Sequence, residues 1–231
     1  MEEKTRMGKT IVLIIASHPD DETIGAGGVI ARHIARGDEV SWCIVTQGYT
    51  PSWSEDTLAK ARRQIDSVGV FFGFKNVYRL GFPSVKLNTV PHIDLCNAFQ
   101  GVIDEARPDV VYTTSRNDAN LDHRIVHDCT LVATRPLPGN TVRRVLSYEI
   151  GYTRHFGAPS GAAAFQPNVF VDISEHLEKK LNAMRLYETE LRQMPHPRCI
   201  DSIRLLAQER GLCVGYAAAE CFELVRELVN S

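Results

Sequence analysis

A chain of 231 residues, 44% hydrophobic and 23% charged, has the length and composition of one globular domain with a sizeable core, which excludes a disordered or fibrous protein. The 26 basic and 28 acidic side chains leave a formal net charge of −2, with no overall pull toward nucleic acid or an anionic membrane. The six scattered cysteines lack a CxxC pair and read as reduced thiols, and no apolar run approaches the roughly 20 residues of a membrane span.

In chain order, MEEKTRMGK (1–9) is polar and unlike a signal peptide, so a soluble, cytoplasmic protein is expected. TIVLIIAS (10–17) is a continuous apolar run, as in a strand buried on both faces. Residues 22–36 read as a helix closed by Gly37, and VSWCIVTQ (40–47) as a second buried strand. A helix over 55–70 and a strand over 77–82 follow. Residues 92–108 have helical periodicity with a proline stop, DVVYTTS (109–115) is a strand, and 123–135 is helical. Residues 143–150 and 168–174 read as strands, while 175–194 and 200–211 read as amphipathic helices. The segment 151–167, GYTRHFGAPSGAAAFQP, is the one long irregular stretch and suits a lid or binding loop.

This alternation predicts a single-domain α/β fold, three-layered and Rossmann-like, with a mostly parallel sheet and helices on both faces. Ligands in such folds bind beyond the carboxyl ends of the strands, where strand order reverses. With the order 3-2-1-4, strands 10–17 and 109–115 are neighbours at that point. The loops after them, SHPDDE (17–22) and SRNDANLDHRIVH (115–127), are the two most polar clusters in the chain, and the fold would bring them together.

A neutral histidine with carboxylates is the donor set of a hard or borderline divalent cation. His18 and Asp21 are three apart across a turn containing Pro19, so both can face one point. A third ligand would come from the second loop, where His123 and His127 sit one helical turn apart and spacing alone allows either. Asp20 cannot easily share the metal with its neighbour Asp21, and is free to act as general base on a water acidified by the metal. Metal-assisted hydrolysis is the reaction class that follows.

IASHPDDE (15–22) and DHRIVH (122–127) resemble the two signature motifs of the PIG-L/LmbE-like zinc-dependent N-deacetylases. The resemblance runs along nearly the whole chain, including YE at 148–149, FQPNVFVDIS, and PHPR with AECFEL (195–224). It implies that His18, Asp21 and His123 bind zinc, that Asp20 is the base, and that Asp122 orients a histidine. It implies removal of the acetyl group from an N-acetylated sugar, commonly a GlcNAc-type unit, and a small-molecule substrate, with neither nucleic acid nor membrane insertion. Iron(II) or another divalent ion would also suit two histidines and one aspartate, and relatives often form homo-oligomers.

One departure stands out. Many relatives carry a histidine three residues before the zinc histidine, where this chain has Asn120. An asparagine donates a hydrogen bond but delivers no proton. Either Asp20 returns the proton to the leaving amine, or His196, His155 or His127 supplies it. Glu149 and Arg198 divide between structural pairing and substrate contact.

Two other readings compete. GAGGVI (25–30) has the look of a phosphate-binding glycine loop, but its glycines lie eight or more residues past the strand, and strand 40–47 ends in Thr-Gln instead of an acid. Those glycines better serve close packing of the helix on the sheet. Within the resemblance, the alternatives are an amidase for a thiol-conjugated pseudodisaccharide and a silent sugar- or metal-binding relative.

Overall fold

Six apolar residues form β1 (Ile11–Ala16), an inner strand of a seven-stranded sheet in a computed structural model that describes residues 8–151 and 164–229. It lies between β2 (Glu39–Gln47) and β4 (Val110–Thr114), both parallel to it, with Ile14 opposite Trp42 on one side and Tyr112 on the other. β3 (Val77–Pro83) extends the sheet beyond β2, and β5 (Arg144–Tyr148) extends it beyond β4, again in parallel. Past β5 come β7 (Ala219–Glu227) and the edge strand β6 (Val169–Asp172). β7 is antiparallel to both neighbours, giving the order β3-β2-β1-β4-β5-β7-β6.

The period-two alternation of β1 divides the core into two layers. Val12, Ile14 and Ala16 pack with Trp42, Ile44 and Tyr148 beneath α1 (Asp21–Ala35), α2 (Glu55–Phe72), α5 (Leu177–Arg185) and α6 (Ile200–Leu212). Leu13 and Ile15 pack on the other face with Cys43, Val45 and Val111 beneath α3 (His92–Ala106) and α4 (Leu121–Ala133). The three-layer α/β architecture expected from the sequence is the one observed. Among the described residues, no helix is long and apolar enough to cross a membrane.

The glycines of α1 have the packing role assigned to them. A Cβ on Gly25 would lie 2.1 Å from Cδ2 of Tyr148, and one on Gly28 would meet Ile173 at 2.7 Å. Only a glycine allows the helix this close to its neighbours.

Three expectations need correction. The helix read over 175–194 ends at Arg185, and a short 3-10 turn at Leu87–Thr89 was not foreseen. The chain leaves the helix after Leu186 because Tyr187 is buried and donates its hydroxyl to Glu22 Oε1 at 2.7 Å, a contact the continuing helix would forfeit. β7 also went unread as a strand. Its charged Glu220 hides the pattern, yet the carboxylate is buried, accepting from Lys180 Nζ (2.6 Å) and the backbone N–H groups of Gly28 (2.9 Å) and Val29 (2.7 Å). The loop expected over 151–167, and His155 with it, lies mostly outside the described residues.

Candidate active site

β1 and β4 are adjacent, with the sheet growing in opposite directions from them, so the gap between their carboxyl ends is the switch point. The exit from β1 is pinned where Ser17 O accepts from the Thr46 N–H (3.0 Å) and hydroxyl (2.7 Å). The exit from β4 is pinned where the Thr114 hydroxyl donates to His123 O at 2.8 Å. A chain of short-range bonds then shapes the second loop: Asn120 N–H donates to Asp118 Oδ1 (2.7 Å), and Asp122 N–H to Asn120 Oδ1 (2.9 Å). Asn120 is therefore the N-cap of α4, and Asp122 is the second residue of the helix.

The two loops bring His18, Asp21 and His123 into one triangle. Nδ1 of His18 lies 3.2 Å from Nε2 of His123, and Asp21 Oδ2 lies 3.3 Å and 3.4 Å from those nitrogens. Three ligands of a tetrahedral zinc, at bond lengths near 2.0–2.1 Å, stand about 3.3 Å apart. The triangle has those edges, and the donor set of two imidazoles and one carboxylate suits zinc or another borderline cation.

Each imidazole is gripped from behind. His18 Nε2 lies 3.0 Å from Asp122 Oδ2, and Asp122 itself accepts from the N–H groups of Val85 (2.6 Å) and Leu87 (3.3 Å). His123 Nδ1 lies 3.0 Å from Asp118 Oδ2. Asp122 thus lies against the His18 nitrogen that is outside the triangle. Asp118 lies in the same way against the other histidine, and sequence reasoning left it unassigned within the polar run 115–127.

Two imidazoles among three buried carboxylates (Asp21, Asp118, Asp122) leave an excess of negative charge, which two ring protons or a divalent cation in their place would reduce. Burial opposes charge on His18, but Asp122 and Asp21 outweigh it and pull the ring up to about 9. For His123, burial is outweighed by Asp21 and Asp118, which pull it up to about 10. Burial would raise Asp21, but the two imidazoles hold it well below the usual carboxylate range.

Asp20 is the residue most at odds with its local position. It stands at the N-cap of α1, yet its side chain makes no capping bond, and its backbone is left-handed at φ 107°. A non-glycine in that region costs on the order of 1–3 kcal/mol and is typical of functional sites. Oδ2 of Asp20 and Oδ1 of Asp21 are buried without a hydrogen-bond partner among the described residues. Burial pushes the Asp20 carboxyl well above its usual range, opposed by Arg198 and reinforced by Asp21. Across the site Val85, whose N–H holds Asp122, is also left-handed at φ 62°, an unusual state for a β-branched residue.

Asp20 and His18 form the floor of a cavity of about 260 Å³. Trp53, Gln64, Tyr187, Glu190 and Arg198 also line it, with Gln64 in contact with the Thr189 hydroxyl at 2.8 Å. Arg198 pairs with Glu190 and lies 3.6 Å from Asp20 Oδ2. Asn120 also lines the cavity. Its Oδ1 is spent on the cap of α4, which leaves the amide NH₂ as its available donor. Glu22, the last residue of HPDDE, is fully buried and accepts from the hydroxyls of Thr23 (2.6 Å) and Tyr187 (2.7 Å), with burial raising it to about 7.

Other residues singled out in the sequence fall elsewhere. His127, one turn further along α4 from His123, is buried with Nδ1 donating to Thr114 O at 2.9 Å, and is not part of the ligand set. His196 is exposed, its Nδ1 accepts from the Arg198 N–H at 3.0 Å, and it does not line the cavity. Glu149 pairs with Arg210 at 2.7 Å, away from the cavity. Tyr187 and Glu190 were missed because both fell inside a helix that the chain does not continue.

A family model described as PIG-L, GlcNAc-PI de-N-acetylase, matches residues 13–134, the stretch that carries both loops. The uncharacterized deacetylase YaiS of Escherichia coli (strain K12) is 26% identical over 184 residues, covering 77% of this chain and 90% of that protein. The diacetylchitobiose deacetylase of Thermococcus kodakarensis is 25% identical over 229 residues, covering 93% and 82%. Among solved structures, the conserved protein TT1542 of Thermus thermophilus superposes with a TM-score of 0.76 at 22% identity, covering 96% of this chain and 97% of its own, which shows a shared fold.

Proposed function

The chain belongs to the PIG-L family, and on that premise we propose that it is a metal-dependent hydrolase that removes the N-acetyl group from an N-acetylated sugar, releasing acetate and the free amine. A relative named as a deacetylase and another named as a diacetylchitobiose deacetylase support the reaction class. The observation that carries the reading is the His18–Asp21–His123 triangle with the uncapped carboxylate of Asp20 beside it.

His18, Asp21 and His123 would hold zinc, or iron(II) in its place. The cation supplies Lewis acidity, polarising an acyl oxygen and acidifying water. Asp20 takes the proton from the attacking water as its oxygen adds to the amide carbon. Asp122 and Asp118 keep the two imidazoles turned toward the triangle. The Asn120 amide donates to the oxygen on which negative charge develops. As the C–N bond breaks, the amine needs a proton. Asp20 returns the one it took, since Asn120 has none to give and His196 stands outside the cavity. Trp53 offers an apolar face to a sugar ring, and a cavity of about 260 Å³ suits one hexosamine unit.

The test is acetate release from a panel of N-acetylated sugars and sugar nucleotides, with metal-loaded protein beside an Asp20→Asn variant. Metal-dependent release that drops by about 10²–10⁴ in the variant is expected. Equal rates in the two proteins would remove Asp20 from its role. One tightly bound metal with no release from any sugar would favour the amidase or the silent binder.

A further inference from the structure

Away from this site, among the described residues, one other set of side chains converges with metal-binding atoms: His92, Cys96 and Cys129. His92 opens α3, and Cys96 follows one turn later on the same face. Cys129 comes from the middle of α4, which packs against α3. Cys96 Sγ lies 3.3 Å from His92 Nε2 and 4.0 Å from Cys129 Sγ, and Cys129 Sγ lies 3.8 Å from His92 Nδ1. Around a tetrahedral zinc with Zn–S near 2.3 Å and Zn–N near 2.0–2.1 Å, sulfurs stand about 3.8 Å apart and sulfur and nitrogen about 3.5 Å apart. A metal takes one ring nitrogen, so the sulfur–sulfur spacing of 4.0 Å and one sulfur–nitrogen spacing (3.3 Å to Nε2 or 3.8 Å to Nδ1) stand near those edges, with the three ligand atoms all within 4.8 Å of one another.

We propose that His92, Cys96 and Cys129 form a second metal site, built for a thiophilic divalent cation of the zinc type, with its fourth position open to solvent beside His92. Packing alone accounts for two buried cysteines, which behave as small apolar residues and belong to the core layer under α3 and α4. It does not account for an exposed imidazole laid across both sulfurs. His92 also provides the entry path that a buried pair of thiols would lack. The donor set is softer than the His18–Asp21–His123 triangle, so the two sites would rank metals differently. An ion here would tie the first turn of α3 to α4, whose N-terminal turn carries Asp122 and His123. Nothing in this second site depends on the proposed reaction.

Cadmium is the probe, because thiolate-to-cadmium charge transfer gives an ultraviolet band that the active-site triangle, having no sulfur, cannot produce. The full-length chain is titrated with Cd²⁺ under a phosphine reductant, in a Cys213→Ser background that removes the exposed cysteine. One equivalent should saturate the band, and Zn²⁺ should displace it. Cys96→Ser and Cys129→Ala should each abolish it. His92→Ala, at an exposed position that leaves the core intact, should keep the native circular dichroism while weakening cadmium at least about tenfold. No band in the parent chain, a band that survives loss of both cysteines, or unchanged affinity in His92→Ala would each overturn the assignment.

Discussion

Asp20 and Arg198, 178 positions apart in the chain, meet in the lining of the cavity with 3.6 Å between Oδ2 and Nη1. The guanidinium lines the cavity next to the proposed base, and Glu190 pairs with it. Replacing it leaves a buried carboxylate beside Asp21 without its counter-charge. Arg198→Ala should lower kcat/KM on the order of 10- to 100-fold, less than removal of the base itself, with metal content unchanged. Arg198→Lys should recover part of the loss, and steady-state kinetics on the three proteins measures both.

Asp118 is predicted to act through His123. Outer partners of metal-bound histidines fix ring orientation, and their loss weakens binding about 10- to 100-fold. Asp118→Ala should therefore release metal at lower chelator concentration than the parent, and Asp122→Ala should do the same through His18. Chelator competition followed by metal analysis reads this directly. Parental affinity in both variants would make these carboxylates structural only.

Metal uptake should be coupled to protons in a definite direction. His18 and His123 are raised to about 9 and about 10, so near pH 7 both rings carry protons that a cation must displace. Affinity should climb as pH rises toward 9–10 and then level off. For the metal-free chain the sign is opposite. Raised histidines contribute stability that is complete below their ordinary value of 6.5 and is lost as pH rises through 9–10. Calorimetric titration in buffers of different ionisation heat counts the protons, and zero release at pH 7 would contradict the charge balance described.

Lys180 and Glu220 form a buried ion pair that also meets α1, through Ile24 O (2.7 Å from Lys180 Nζ) and the N–H groups of Gly28 and Val29. Lys180→Met strands the Glu220 carboxylate, a change that costs about 3–5 kcal/mol. At roughly 2–4 °C per kcal/mol for a domain of this size, thermal unfolding should move down well beyond measurement error. Because α1 carries Asp21, metal retention should fall in parallel.

What the sequence made legible was local. The β1 run, the HPDDE turn and the polar cluster before α4 each declare themselves within a dozen residues, and a right-handed parallel topology then puts the two loops side by side. What stayed hidden depends on partners far away in the chain. Glu220 reads as a surface charge until Lys180, 40 positions back, is placed against it. Tyr187 reads as one more helical residue until Glu22, 165 positions away, claims its hydroxyl. Asp118 was in plain view, but nothing in the spacing distinguished it from the other acids and amides of its loop.

The end of α5 at Arg185 separates two tasks along the polypeptide. The triangle, Asp20, Asp118 and Asp122 all lie between His18 and His123, inside the stretch that matches the family. The wall facing them, with Tyr187, Thr189, Glu190 and Arg198, comes from the irregular run after that helix, beyond the matched stretch. Turns that bear no sheet hydrogen bonds tolerate substitution and changes in length. On the proposed reading, exchanging this run between relatives while keeping Tyr187 and Arg198 should change the relative kcat/KM among N-acetylated sugars, with acetate still the product released.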